Sequence, residues 1–238
     1  MARILAIGGG GFLMESAPSP VDAWIARHAG GSRARVCFVS TPSGDSMDMI
    51  ERFYAAYEPL GCVASHLAFF RKPFRNALPL AAYREQLLEQ DAIFVGGGNT
   101  KSALAVWREW GLDTVLREAW RGGVLLSGMS AGALVWFEDG LTDSYWGAGY
   151  RPLSCLGFLP GGCCVHYHGE PERRVRLHDA VRANGGRHVA IDDGAAVLYE
   201  GTTMQEVLGW ASGATAYAVK RSDRGDVRED ALPATDIR

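Results

Sequence analysis

Short apolar runs alternate with amphipathic stretches along most of the chain. The apolar runs predict buried strands at residues 3–7, 35–40, 62–69, 92–95, 124–126, 188–191 and 195–199. The amphipathic stretches predict helices at residues 21–29, 45–60, 80–89, 100–110 and 170–183. This alternation is typical of an α/β fold with a mostly parallel sheet that helices cover on both faces.

Two parts of the chain lack a clear period. Residues 131–137 predict the start of a helix, and an irregular stretch rich in Gly, Pro and Tyr then extends to residue 167. From residue 221 to 238 the chain is polar, which predicts a loose last strand or a frayed tail. Because no repeat or linker interrupts the pattern, residues 1–238 are predicted to form a single α/β domain.

Composition and charge narrow the functional classes. With 238 residues, 47% of them hydrophobic, the chain can bury one large core without metals or disulfides. The 24 basic and 27 acidic residues are dispersed and give a net charge of -3, so the sequence has no footprint for nucleic acid or an anionic membrane. A small neutral or zwitterionic substrate fits this surface better.

Cysteine usage and hydropathy predict a cytoplasmic protein. The five cysteines are an odd number, and Cys37 and Cys62 lie within apolar runs that predict buried strands rather than disulfides. The first apolar run is too short for a signal peptide, and no run approaches the roughly 20 residues of a membrane span. We therefore expect a reducing compartment.

A G-x-S-x-G motif at residues 128–132 marks the first candidate for chemistry. It follows an apolar strand and opens a predicted helix, which is the context of a nucleophile elbow. Small flanking residues relieve crowding at such a turn, so the Ser130 hydroxyl can stand clear of the sheet. A Gly/Ser turn at a helix N-cap explains the motif alone about equally well.

A glycine turn follows another predicted strand, at residues 96–99. In α/β proteins ligands bind at the carboxyl ends of neighbouring strands. The backbone N–H of Gly97 or Gly98 is therefore a candidate oxyanion donor, together with that of Ala131. A plain β-to-α turn is the alternative.

A serine nucleophile needs a base and a residue that orients the base. His166 and His168 alternate with their neighbours, so on an extended segment they would point the same way. A metal site is the alternative for this spacing, but no third ligand is evident nearby, and no metal is expected. The downstream carboxylates are candidate orienters: Glu138, Asp143, Glu170, Asp192 and Asp193. Asp-Asp-Gly is also an ordinary turn sequence.

The remaining motifs predict no cofactor. Residues 8–11 are four consecutive glycines after the first strand, but Leu13 and Met14 occupy the positions where a dinucleotide motif has its third glycine. The other four histidines, His28, His66, His178 and His188, lie in or beside ordinary elements and are expected to be structural or solvated.

Taken together, the motifs resemble the aspartyl dipeptidase (peptidase E) and cyanophycinase family of serine peptidases. The resemblance covers about half the chain, in order, at residues 93–100, 128–133, 136–144, 166–174 and 190–196. It implies a fold similar to class I glutamine amidotransferases, of the flavodoxin-like type, with serine instead of cysteine in the elbow. It also implies the chain order serine, histidine, acid.

The resemblance assigns roles to individual residues. His166 takes the place of the family's base, although Val165 precedes it where the family has proline. Asp193 matches the acid, which is commonly glutamate in the family. Asn99, Arg173 and Arg174 are the candidate substrate-binding residues, since an arginine after the histidine suits an aspartate carboxylate.

The resulting prediction is a serine peptidase that hydrolyses a small, dipeptide-like amide through Ser130, His166 and Asp193. Specificity for an N-terminal aspartate is in doubt, because Glu172 aligns with the specificity arginine as readily as an Arg does. The alternatives are an esterase-like α/β-hydrolase, an amidotransferase-like enzyme that uses His168 and Glu170, and a catalytically idle peptide-binding homologue. The expected partner is a small peptide, with no nucleic acid or membrane, and a homodimer is left open.

Overall fold

The computed structural model describes residues 1–16, 18–222 and 224–238. Within these ranges the chain forms fourteen strands: β1 (Arg3–Ile7), β2 (Arg35–Val39), β3 (Val63–Leu67), β4 (Ala92–Val95), β5 (Leu125–Met129), β6 (Phe137–Thr142), β7 (Arg151–Ser154), β8 (Leu159–Cys164), β9 (Arg187–Ile191), β10 (Ala195–Glu200), β11 (Thr203–Gly209), β12 (Ala216–Arg221), β13 (Val227–Ala231) and β14 (Ala234–Asp236). The same ranges contain seven α-helices: α1 (Pro20–His28), α2 (Met47–Tyr57), α3 (Tyr83–Leu88), α4 (Thr100–Trp110), α5 (Leu112–Gly122), α6 (Ala131–Leu134) and α7 (Pro171–Asn184).

The larger sheet has eight strands in the order β14-β11-β10-β1-β5-β4-β2-β3. Neighbours from β1 to β3 are parallel, whereas β10 is antiparallel to both β1 and β11. The parallel strands therefore end along one edge of the sheet, where the loops after β1, β4 and β5 meet.

Helices cover both faces of this sheet, as predicted. Along β1, alternate residues enter different cores: Leu5 and Ile7 pack with α1 and α2, whereas Ile4 and Ala6 pack with α4 and α5. Strands buried on both faces explain the continuous apolar runs of the sequence. The prediction of an α/β fold is confirmed.

A second, six-stranded sheet differs from the prediction of an irregular stretch up to residue 167. Its order is β13-β12-β9-β8-β6-β7, so three of its strands lie in the stretch predicted to be irregular. That prediction was wrong because Pro160, Gly161 and Gly162, which usually signal a turn, lie within β8. A side chain at Gly161 would meet the carbonyl oxygen of Arg187, so the close strand approach requires glycine there. The helix predicted at residues 131–137 is also shorter and ends at Leu134.

The polar C-terminal segment is paired rather than frayed. β13 is antiparallel to β12 in the second sheet, and β14 is parallel to β11 at the edge of the first. Charged residues suit such edge strands because they discourage pairing with other chains. Helix α7 packs on the second sheet through Leu177 and Val181.

Helix α5 lies in a stretch for which the sequence analysis predicted no element, although its buried residues recur at helical spacing.

The five cysteines are free in the part of the chain that the structure describes. No helix among the described residues is both long and apolar enough to cross a membrane.

Candidate active site

Ser130 lies in a sharp turn between β5 and α6. Its φ of 58° and ψ of -117° are unusual for a residue with a side chain. The turn follows a strand whose five residues are all buried, so the hydroxyl emerges at the carboxyl edge of the sheet. This conformation is the nucleophile elbow that the motif predicted.

Close backbone contacts explain both glycines of the motif. A Cβ on Gly128 would collide with the carbonyl group of Gly132, and a Cβ on Gly132 would collide with the carbonyl group of Val95. Strand β5, helix α6 and strand β4 therefore approach one another more closely than any side chain allows. The motif is a packing requirement of this turn.

Ser130, His166 and Asp193 form a hydrogen-bonded series. The Ser130 hydroxyl lies 2.9 Å from His166 Nε2, and His166 Nδ1 lies 2.5 Å from Asp193 Oδ1. The His166 side chain is largely buried, whereas the Asp193 side chain is 37% exposed. In this geometry the imidazole can accept the serine proton at Nε2 while Nδ1–H donates to the carboxylate.

The acid reaches the imidazole although aspartate is one methylene shorter than glutamate. Asp193 lies where the chain passes from β9 in the second sheet to β10 in the first. The backbone N–H of Gly194 donates to the carbonyl of Gly9 over 2.8 Å, which anchors this crossing against the end of β1. The position of the crossing, rather than side-chain length, brings the carboxylate to His166.

The glycine run after β1 contributes to the site in a way that the sequence analysis missed. A Cβ on Gly9 would collide with Asp193 Oδ1 and lie 2.8 Å from His166 Nδ1. The missing side chain thus leaves room for the imidazole and carboxylate to meet. The run of four glycines is visible in the sequence, but it predicted only the absence of a nucleotide-binding motif and not this role beside the histidine and the acid.

His166 and His168 do not point the same way, in contrast to the expectation for an extended segment. His166 has a φ of 51°, in the left-handed region, so the chain turns instead of continuing β8. His168 Nδ1 lies 2.8 Å from Asp192 Oδ1, so each histidine contacts a different aspartate. Two His–Asp pairs result, and only the first reaches Ser130.

Two of the predicted oxyanion donors lie next to Ser130: Gly97 in the glycine turn, and Ala131, which follows Ser130 in the chain. A Cβ on Gly97 would lie 3.3 Å from the Cβ of Ser130, which places the glycine turn beside the elbow. No described residue accepts a hydrogen bond from the backbone N–H of Gly97, Gly98 or Ala131. Backbone N–H groups without a partner beside a serine nucleophile are the kind of donor that can stabilise an oxyanion.

The predicted substrate-binding residues have partners within the protein. Asn99 caps α4, where its Oδ1 accepts from the backbone N–H of Ser102 over 2.8 Å. Arg173 is 4% exposed and its Nε donates to Glu170 over 2.8 Å. Arg174 donates to Glu229 over 3.1 Å.

The Glu170 carboxylate neutralises the buried arginine. Burial raises the pKa of Glu170, but hydrogen bonds from Arg173 and Tyr150 outweigh this effect and hold the pKa below its usual value. The Arg173 guanidinium also lies 4.7 Å from the centre of the Tyr150 ring. An ion pair of this kind leaves no unpaired positive charge to attract a substrate carboxylate.

The contacts of the other histidines bear on the alternatives to a serine peptidase. An amidotransferase-like enzyme would use His168 together with Glu170, but here the His168 side chain contacts Asp192. His188 lies in β9 beside Gly162, and burial lowers its pKa. Among the described residues no group of three or more His, Cys, Asp or Glu side chains is arranged to hold a metal ion.

Comparisons with known proteins identify relatives along almost the whole chain. The family model of peptidase family S51 matches residues 4–207. An uncharacterized peptidase of Bacillus subtilis (strain 168), YgaJ, is 42% identical, and the match covers 98% of this chain and 98% of that protein.

Solved structures show the same fold at lower identity. A peptidase from an acI-B1 Actinobacterium superposes with a TM-score of 0.71 at 17% identity, over 98% of this chain and 95% of the other. A Listeria monocytogenes EGD-e protein named for peptidase E superposes with a TM-score of 0.63 at 18% identity, over 89% of this chain and 100% of the other.

Proposed function

The chain belongs to peptidase family S51 and is a serine-type peptidase, and we propose that it cleaves amide bonds of short peptides with Ser130 as the nucleophile. The observation that carries this proposal is the hydrogen-bonded series from Ser130 through His166 to Asp193, with distances of 2.9 and 2.5 Å. His166 is then the general base, and Asp193 orients it.

The proposed reaction proceeds through an acyl-enzyme. Ser130 Oγ attacks the scissile carbonyl carbon while its proton moves to His166 Nε2. The same imidazole then gives the proton to the leaving amine, and the C–N bond breaks. Water attacks the acyl carbon while one of its protons moves to His166. The imidazole then returns this proton to Ser130 Oγ as the bond between Oγ and the acyl carbon breaks, and the carboxylic acid product leaves.

The N–H groups of Ala131 and of Gly97 or Gly98 would hold the oxyanion of each tetrahedral intermediate. A well-aimed donor of this type contributes about 3 kcal/mol to the stability of the transition state. The Asp193 side chain stabilises the imidazolium that forms beside it.

We propose no preference for an N-terminal aspartate. Arg173 is paired with Glu170 and Arg174 with Glu229, so both candidate guanidinium groups already have carboxylate partners. An aspartate side chain would have to displace one of these partners, at a cost in desolvation. Neutral dipeptides avoid that cost.

A turnover screen over dipeptides and nitrophenyl esters tests the proposal. The wild type should hydrolyse at least one neutral dipeptide faster than its Asp-X counterpart, and Ser130→Ala should hydrolyse none. Ser102→Ala is the control, because Ser102 is an exposed residue on α4. Hydrolysis that persists in Ser130→Ala contradicts the role of Ser130.

The same screen separates the competing functions. Ester cleavage without any dipeptide cleavage would favour an esterase-like enzyme, although its acid would precede its histidine in the chain. No turnover by the wild type, together with stoichiometric peptide binding, would indicate an idle binding homologue.

A further inference from the structure

The C-terminal hairpin of β12 and β13 lies beyond the part of the chain that the S51 family model matches, which ends at residue 207. The hairpin nevertheless extends the second sheet, which carries the His166 turn at the end of β8. β12 pairs with β9, the strand that leads to Asp193. The hairpin is therefore adjacent to the elements that hold the base and the acid.

Glu229 projects from β13 into a largely buried polar cluster. Its side chain is 16% exposed, and its Oε2 accepts a hydrogen bond from the Tyr167 hydroxyl over 2.6 Å. His178 Nε2 lies 2.8 Å from the same oxygen, and Arg174 Nε donates to it over 3.1 Å. Burial raises the pKa of Glu229, but these hydrogen bonds outweigh burial and lower it.

Tyr167 connects this cluster to the base, because it directly follows His166. Tyr167 is fully buried, and its backbone N–H donates to the carbonyl of Ile191 over 3.2 Å. His166 itself has the left-handed φ of 51°, a conformation that persists only where the surroundings enforce it. The Tyr167 hydroxyl is the one hydrogen-bonding group of that side chain; it donates to Glu229 over 2.6 Å and lies 3.1 Å from His178 Nε2.

We propose that Glu229 is a positioning residue for the catalytic base: through the Tyr167 hydroxyl it holds the turn that keeps His166 between Ser130 and Asp193. The C-terminal hairpin is then part of the active-site support as well as an edge of the sheet. The inference rests on the proposed role of Ser130 and His166. Because a misplacement of about 1 Å costs about 100-fold in rate, loosening this turn should slow the chemical step.

The test uses the full chain and a serine-directed fluorophosphonate. Time courses over a range of inhibitor concentrations give the maximal rate of phosphonylation and the inhibitor affinity separately. The variants are Tyr167→Phe, Glu229→Ala, Glu229→Gln and the double variant Tyr167→Phe/Glu229→Ala. Asp230→Asn is the matched control, since Asp230 directly follows Glu229 in β13 and is paired only with Arg228, near the surface.

We expect Tyr167→Phe and Glu229→Ala each to lower the maximal rate by about tenfold, with inhibitor affinity changed by less than about twofold. If the effect on rate runs through the hydrogen bond between Tyr167 and Glu229, which all three variants lack, the double variant should be no slower than the slower single variant. Glu229→Gln, which keeps an acceptor for Tyr167, should recover most of the rate, and Asp230→Asn should match the wild type.

Several outcomes overturn the inference. If Tyr167→Phe reacts at the wild-type rate, Glu229 does not act through Tyr167, whatever Glu229→Ala does to stability. If Glu229→Ala fails to fold, Tyr167→Phe and Glu229→Gln decide the question. If the wild type itself is not phosphonylated, the proposed function fails, and this inference fails with it.

Discussion

At the scale of single residues, the active site depends on side chains that are absent as much as on those that react. Gly128 and Gly132 let β5, α6 and β4 approach one another, and Gly9 leaves space for the contact between His166 and Asp193. At Gly9 the φ angle lies outside the left-handed region, so alanine suits the backbone and only the contact forbids it. Glycine is thus required at position 9 for steric reasons and not for its backbone conformation.

Gly9→Ala should therefore reduce activity far more than it reduces folding. The new methyl group would displace the Asp193 carboxylate or the imidazole, and we expect a fall of about 100-fold in the phosphonylation rate. Gly122→Ala is the matched control, because Gly122 lies at the end of α5 with open space around its Cα. It should keep full activity and gain up to about 1 kcal/mol of stability. A Gly9→Ala protein with the wild-type rate would disprove the steric role.

At the scale of elements, α1 begins with a buried capping box. Ser19 N–H donates to Asp22 Oδ2 over 3.1 Å, and Asp22 N–H donates back to Ser19 Oγ over 3.5 Å. Asp22 is fully buried, and burial raises its pKa to about 6 in spite of these hydrogen bonds. The capping box thus fixes the start of α1, but the fold loses stability once the Asp22 carboxyl group ionises.

Asp22→Asn should remove that cost, since asparagine keeps an oxygen acceptor for the Ser19 N–H. A raised pKa in the folded state means that the fold binds the proton more tightly. Stability is therefore lost as the pH rises from the ordinary value of 3.8 through about 6. Between pH 4 and 7.5, the unfolding free energy of the variant relative to the wild type should increase by about 2 kcal/mol, measured by urea denaturation. A difference independent of pH would contradict the assignment.

Some elements were predictable from the sequence, and others were hidden by their composition. The strands of the parallel sheet were predicted because burial on both faces gives continuous apolar runs, as in β4. In the second sheet β9 was predicted, at residues 188–191, but β8 and β13 were not, because β8 contains proline and glycines and β13 is mostly charged. Its strands also approach one another closely, as at Gly161 and Arg187, and a hydrophobic period does not record such contacts between strands.

The candidate site shows the same division. Ser130 and its glycines stand in a local motif, so their geometry was predictable from the sequence. The contact between Gly9 and Asp193, and that between Tyr167 and Glu229, join residues far apart in the chain. Contacts of that kind depend on the order in which strands pair in the two sheets, which sequence periodicity does not describe.

At the scale of the whole molecule, the two sheets share one core. Leu159, Cys163 and Val189 of the second sheet belong to the same buried cluster as Ile4 and Leu126 of the first. The reacting groups are divided in the same way, because Ser130 follows a strand of the first sheet and His166 a strand of the second. The site is therefore complete only when both sheets are folded together.

We accordingly propose a single cooperative unit for residues 1–238. Urea unfolding followed by tryptophan fluorescence and by far-ultraviolet circular dichroism should give one transition with the same midpoint. Loss of phosphonylation should coincide with it. Two separate midpoints, with activity lost at the first, would instead show that the second sheet unfolds independently.

The central claim is that Ser130 is the nucleophile, and peptide mapping of the fluorophosphonate adduct by mass spectrometry tests it most directly. We expect one adduct per chain, on the peptide that contains Ser130, and no adduct in Ser130→Ala. The His166→Ala variant should react more slowly by several orders of magnitude, with the adduct still on Ser130. An adduct on any other residue, or labelling that survives in Ser130→Ala, would contradict the claim.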